Sequence, residues 1–216
     1  MITLDESFEN PALAPGGLTT LTPANWVNVS GITFRVDSRN SSYFFGNHDG
    51  VIDSQFLALG NNLNRGNIYY TISTTPGMEY QISYNYAFSD GFRFGVSPPV
   101  TSSFKSLIVA YYGMVEVVDH NGNVTMMENT QQIAGATHSK DLPGVRDYEV
   151  GNWTQHSYNF IATSMDTRIF LTQGNTTAFT AVGVVDKVVI QSIPESCGVA
   201  FACVMAVLMV IRRKRK

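Results

Sequence analysis

No stretch before residue 197 repeats its apolar side chains at helical spacing; what recurs instead is alternation. Tyr80-Gln-Ile-Ser-Tyr-Asn-Tyr86 puts Tyr80, Ile82, Tyr84 and Tyr86 on one face of an extended chain and its polar residues on the other. Comparable strand-like runs occupy Gly31–Asp37, Gln55–Leu59, Asn67–Thr74, Glu79–Phe88, Ser106–Asp119, Asn123–Glu128, Trp153–Ala162, Thr167–Thr172 and Ala181–Gln191, and Met1–Phe8 reads as a first strand. Turn chemistry separates them. Thr75-Pro76-Gly77 predicts a tight hairpin, and Asn121-Gly122 is the strongest short hairpin signal a sequence offers. Ala134–Val150 is the one long irregular insertion. Nine or more short strands in one unit predict an all-β, antiparallel jelly-roll β-sandwich over residues 1–192.

The charge is segregated. The net charge of −3 includes a final run of Arg212, Arg213, Lys214, Arg215 and Lys216; the rest has nine basic against 17 acidic residues, a net of −8. Such a body lacks the basic footprint that nucleic-acid phosphates need, so nucleic-acid binding is excluded. The two cysteines, Cys197 and Cys203, both fall in the tail, which leaves the body without a disulfide or a thiolate metal site. Five Asn-x-Ser/Thr triplets, starting at Asn28, Asn40, Asn123, Asn152 and Asn175, follow from an Asn-, Ser- and Thr-rich composition.

Cys197–Ile211 is uncharged and apolar, and the basic cluster follows it directly. As a helix these 15 residues span about 22 Å at ~1.5 Å per residue, short of a ~30 Å hydrocarbon core but extendable by snorkelling arginines. The expectation is a single short C-terminal transmembrane helix within residues 193–216, its basic end cytoplasmic and the body on the other side. Pro194-Glu195, the apolar run and the terminal basic cluster, in that order, resemble the PEP-CTERM sorting signal of Gram-negative bacteria; Ser196 stands where that signal usually has a second proline. The resemblance implies handling by an exosortase-like membrane enzyme and display at the cell envelope or in the extracellular matrix. Met1–Phe8 has none of the parts of a signal peptide, so either the true start lies upstream, the favoured reading, or export uses the C-terminal segment itself.

The order Ser7-Phe8-Glu9-Asn10-Pro11, Trp26, Thr74–Ser83, Trp153–Phe160 and Val185–Ile190 looks like a galactose-binding-like jelly roll of the kind found in carbohydrate-binding modules. That resemblance implies adjacent first and last strands and a structural Ca²⁺ held by Glu9 and Asp186 with backbone carbonyls. Oxygen donors of this sort suit a hard cation. It also implies a polysaccharide partner, because sugar faces stack on flat rings. Of the aromatics Trp26, Tyr43, Phe44, Tyr111, Tyr112, Tyr148 and Trp153, both tryptophans read as structural, and Tyr43, Phe44 and Tyr148 are the chosen sugar-binding candidates. No catalytic residue is assigned. The rivals are an exported carbohydrate-active enzyme, using the His48/Asp49/Asp53 loop or His138 with Asp141, and a lectin with a defined glycan ligand. No GxSxG, HExxH or phosphate-cradling loop is present, and a non-catalytic structural or adhesive module is the preferred reading.

Overall fold

Twelve β-strands and no helix form among the residues that the computed structural model describes, namely 1–15, 17–37, 55–60, 65–89, 100–142, 153–174 and 182–194. They are β1 (Ile2–Glu6), β2 (Leu18–Thr19), β3 (Trp26–Ser30), β4 (Phe34–Asp37), β5 (Gln55–Ala58), β6 (Asn67–Ser73), β7 (Glu79–Ser89), β8 (Val100–Val118), β9 (Val124–Leu142), β10 (Thr154–Ile161), β11 (Asp166–Gln173) and β12 (Val182–Ser192). A seven-stranded sheet runs β10-β7-β12-β5-β4-β2, with β1 also on β12; a five-stranded sheet runs β3-β6-β11-β8-β9. Every pairing is antiparallel. The all-β sandwich expected from the sequence is therefore present. The short C-terminal helix, Glu195 of the sorting motif and the basic cluster lie outside the described residues.

Alternation decides what faces the gap between the sheets. Tyr80, Ile82 and Tyr84 of β7 point into it, as do Ile68 and Ile72 of β6, Ile169 and Leu171 of β11, and Val188 and Ile190 of β12, all buried in one cluster. Both tryptophans are structural. Trp26 is buried in the main cluster, its ring 5.9 Å from Phe8 and 5.5 Å from Tyr70, and Trp153 packs edge-on to Phe56 at 5.8 Å. β5 is buried on both faces: Leu57 joins the main cluster, whereas Phe56 and Ala58 join a second one on the other side with Val36, Ala87, Val182 and Val184.

Two expectations are corrected. Thr75–Gly77 does not close a hairpin: β6 belongs to the five-stranded sheet and β7 to the seven-stranded one, so this turn carries the chain across the core. Gly77 has φ +86°, and its N–H donates to Ala162 O at 2.7 Å. Turn chemistry specifies reversal of the chain, not pairing of the strands that flank it. The first half of the insertion Ala134–Val150 is also strand. Residues up to Leu142 continue β9, pairing with β8 from Ile108↔Ala134 to Val100↔Leu142. Its side chains are small and polar and it ends the sheet, so it lacks the apolar alternation that marks a strand in sequence.

The two sheet edges β9 and β10 face each other across a cluster of rings, Tyr84 fully buried and Tyr86, His138, His156 and Tyr158 half-buried. Tyr84 Oη and His138 Nε2 share a 2.7 Å hydrogen bond, Tyr86 stacks on His138 at 4.0 Å, and His156 meets His138 edge-on at 4.7 Å. Ser106 Oγ and Tyr158 Oη share a 2.9 Å bond beside them. Burial first, and the neighbouring His156 second, push the His138 pKa down to about 4 from 6.5. Burial also raises Tyr84, and it raises Tyr158 to about 12. The fold thus favours neutral imidazole at His138. Its contribution to stability is complete above the unfolded value of 6.5 and is lost as the pH falls from 6.5 towards 4. In urea titrations, the unfolding midpoint of the wild type should decline between pH 6.5 and 4.5. His138→Gln should flatten that segment of the profile, and parallel profiles for the two proteins would show that His138 does not set it.

Candidate functional site

The outer face of the five-stranded sheet brings together aromatic residues far apart in sequence. On β11, Thr167, Ile169 and Leu171 point into the core, which turns Asp166, Arg168, Phe170 and Thr172 outward. Cross-strand register then builds rows. Phe170 stands between Tyr69 of β6 and Leu107 of β8; Arg168 stands between Thr71 and Val109; Asp166 stands between Ser73 and Tyr111. The Tyr69 and Phe170 rings are 5.0 Å apart and half-buried.

Arg168 organises this face. Its guanidinium carbon lies 4.5 Å from the Tyr69 ring centre and 4.0 Å from that of Tyr111, so two rings grip one cation. Arg168 Nη1 donates to Glu128 Oε2 at 2.7 Å. The residue is only 7% exposed, and its Nε has no hydrogen-bond partner among the described residues. A buried, neutralised cation between two tyrosines fixes both rings and leaves the surface amphipathic, with Lys105, Thr71 and Gln132 exposed around them. Sequence reasoning had included Tyr111 among the aromatics but missed Tyr69, Phe170 and Arg168. Their common signal is outward parity on paired strands, which needs the register to be read. Tyr112, next in the chain, instead donates to Thr163 Oγ1 at 2.9 Å.

Of the chosen sugar-binding candidates, Tyr43, Phe44 and Tyr148 all lie outside the described residues, as do His48, Asp49 and Asp53 of the rival enzymatic loop. His138 and Asp141 are not in a loop. His138 belongs to the ring cluster between the sheets, and Asp141 accepts a 2.6 Å bond from Thr101 Oγ1.

The pair Glu9 and Asp186 falls at a seam in the seven-stranded sheet. On one side, β12 is paired with β7 over most of its length. On the other, it is paired with β5 at Val184 and Val185 and with β1 from Val188 to Gln191. The end of β1 and the start of β5 therefore meet opposite Asp186 and Lys187, where the β7 register also shifts and Lys187 takes φ +51°. Glu9 closes this seam: its Oε1 accepts from Gln55 N at 2.6 Å, and its carbonyl and Oε2 accept from Gln55 Nε2 at 2.9 and 3.1 Å. Asp186 is buried, its Oδ1 accepting from Lys187 N at 2.7 Å. Arg35, also fully buried, donates through Nη1 to the carbonyls of Asn10 and Pro11. Burial pushes the Arg35 pKa down and nearby Glu6 pulls it up. Among the described residues no cluster of three or more His, Cys, Asp or Glu could hold a metal. A hard cation at the seam would therefore draw on amide oxygen as well. Gln55 Oε1 suits that role, being wholly buried and without a hydrogen-bond partner among the described residues. Glu9, Gln55 and Asp186 thus bring two carboxylates and one amide oxygen to the same seam.

No protein-family model matches the chain, and no curated protein matches it in sequence. Solved structures resemble it to differing degrees. An apo form cyclase from Fischerella sp. is 14% identical, with 90% of this chain and 97% of that one covered at a TM-score of 0.53. The CBM22-1 xylan-binding domain of Paenibacillus barcinonensis Xyn10C is 13% identical, covering 89% and 95% at 0.43. TmCBM61, in complex with β-1,4-galactotriose, is 12% identical, covering 79% and 90% at 0.42. The likeness to the cyclase is one of fold alone.

Proposed function

We propose that the chain is a non-catalytic, polysaccharide-binding β-sandwich displayed at the cell envelope, with the outer face of the five-stranded sheet as its binding surface. The observation that carries this reading is the Tyr69–Arg168–Tyr111 arrangement beside Phe170. Half-buried rings held rigid by a cation offer flat apolar surface at little entropic cost, and sugar C–H faces stack on such surfaces. Hydroxyl and amide groups at Thr71 and Gln132 are exposed beside them for ring hydroxyls. The guanidinium is already neutralised by Glu128, and the body outside the final basic run carries a net charge of −8. Both favour a neutral glycan over an acidic one. Display rests on the sequence: Pro194-Glu195, the apolar run to Ile211 and the basic cluster Arg212–Lys216 suit an exosortase-like partner and a membrane anchor.

Calorimetric titration with neutral xylo-, galacto- and gluco-oligosaccharides tests the binding surface. At least one should bind, and Tyr69→Ala and Tyr111→Ala should each weaken it about tenfold or more, some 1.4 kcal/mol. Gln155→Ala, on an exposed position of the other sheet, should leave affinity unchanged. Absence of binding to any neutral glycan at millimolar concentration would overturn the assignment.

We propose further that the seam binds Ca²⁺ through Glu9, Gln55 and Asp186. Thermal unfolding of the full chain should then shift upward with the logarithm of calcium concentration, and Asp186→Asn should abolish the shift. A midpoint indifferent to both calcium and chelator would remove the ion while leaving the glycan surface untouched.

A further inference from the structure

Towards the end of β10 the two sheet edges β9 and β10 line a cleft of about 570 Å³. It lies at the root of a two-stranded arm: past the pairing Tyr111↔Asp166, β8 has no strand neighbour other than β9 among the described residues, and residues 112–118 and 124–130 run on alone. The bond from Tyr112 at the start of the arm reaches Thr163 on the cleft wall.

A bulge shapes the β9 wall. Ile108 pairs with Ala134 and Val109 with Gln132, so Ile133 has no opposite number, and it packs with Ala134 against the core cluster. Gln131 shares the inward parity of its partner Ala110, yet it is exposed and lines the cleft. On the β10 wall Phe160 is buried and stacks on Tyr80 at 5.5 Å, which gives the cleft a rigid apolar floor.

Among the described residues that line this cleft, Glu79 is the one that carries charge. Asn159 Nδ2 donates to its Oε1 at 3.0 Å. Asn159 is held in turn by Gln81 Nε2 at 3.4 Å, and Gln81 by Gln191 Nε2 at 3.3 Å, so an amide relay fixes the carboxylate from behind. Oε2 accepts from no described residue. One engaged oxygen and one open one select among cations. A guanidinium wants both oxygens in a planar fork, and a hard metal ion wants several oxygens around it, whereas an ammonium is served by a single oxygen. The Gln131 amide and the Thr163 hydroxyl border the same space above Phe160 and Ala134. Polar groups around an apolar floor suit a hydroxylated ring that lays down its C–H face.

We propose that this cleft binds an amino sugar with a free ammonium group. The ammonium meets Glu79 Oε2, the ring lies on Phe160 and Ala134, and ring hydroxyls reach Gln131 and Thr163. The site uses none of Tyr69, Tyr111, Arg168 or Phe170, so it stands or falls apart from the outer sheet face.

Calorimetric titration of the full chain in mild detergent at pH 6, where the amine is charged, compares glucosamine with N-acetylglucosamine, glucose and butylammonium. Glucosamine should bind at millimolar concentration, and each of the others about tenfold more weakly or worse. Glu79→Gln keeps the shape of the side chain and should cost glucosamine about tenfold without moving the unfolding midpoint, whereas Tyr69→Ala should leave its affinity unchanged. A β-1,4-linked glucosamine trimer distinguishes the source: affinity equal to the monomer's places the sugar within a glycan chain, and rejection of the trimer places it as a free sugar. Glucose or butylammonium binding as tightly as glucosamine, or full affinity in Glu79→Gln, would each overturn the proposal.

Discussion

β12 is the strand on which the seven-stranded sheet depends, because it has to satisfy two different neighbours along a single edge. β5 holds it at Val184 and Val185, β1 holds it from Val188 onward, and between them the ladder has a break that backbone pairing does not close. Polar atoms at such a break must find partners or pay desolvation, so the seam gathers them: Glu9 onto Gln55, Asp186 onto its own bulge and Arg35 onto the Asn10 and Pro11 carbonyls. The chain between β1 and β2 is fixed by the same contacts. Phe8 can then fill the core beside Trp26 even though its backbone sits at φ +59°.

The other sheet is held differently. Among the described residues it has no comparable seam; its organising group, Arg168, lies on the outside of the sandwich, gripped by two tyrosine rings and one carboxylate. Both sheets thus bury a guanidinium, with opposite consequences. Arg35 is spent on backbone carbonyls and serves the fold, whereas Arg168 orients side chains that remain half-exposed and serves a surface. A buried cation costs stability unless paired, and Glu128 and the two rings supply that pairing at Arg168.

Legibility in the sequence followed how local each signal was. The alternation of Tyr80–Tyr86 named a strand and its buried face correctly, because period two is a property of a single strand. The adjacency of first and last strands came from the resemblance, and β1 does pair with β12. Thr75–Gly77 misled because a turn does not say which sheet the chain enters next, and Ala134–Leu142 was missed because an edge strand of small residues has no apolar stripe to show. Tyr69, Tyr111, Phe170 and Arg168 could not be grouped from sequence at all. They meet through register across β6, β11 and β8, and one residue of slip would turn each of them to the other face.

The aromatic face and the exposed arm share one residue, and this ties them mechanically. Glu128 stands at the root of the arm, opposite Met114, and is half exposed; its carboxylate is what holds Arg168 between the tyrosine rings. Whatever orders the arm orders Glu128, and through it the cation that sets the spacing of Tyr69 and Tyr111. An arm left as a free ribbon in water leaves Glu128 to fluctuate, and the Arg168–Glu128 pair then contributes as little as an ordinary surface ion pair. An arm that is held fast keeps the carboxylate in place and the guanidinium flat against both rings. The spacing of Tyr69 and Tyr111 is thus tied to the arm through a single salt bridge of 2.7 Å.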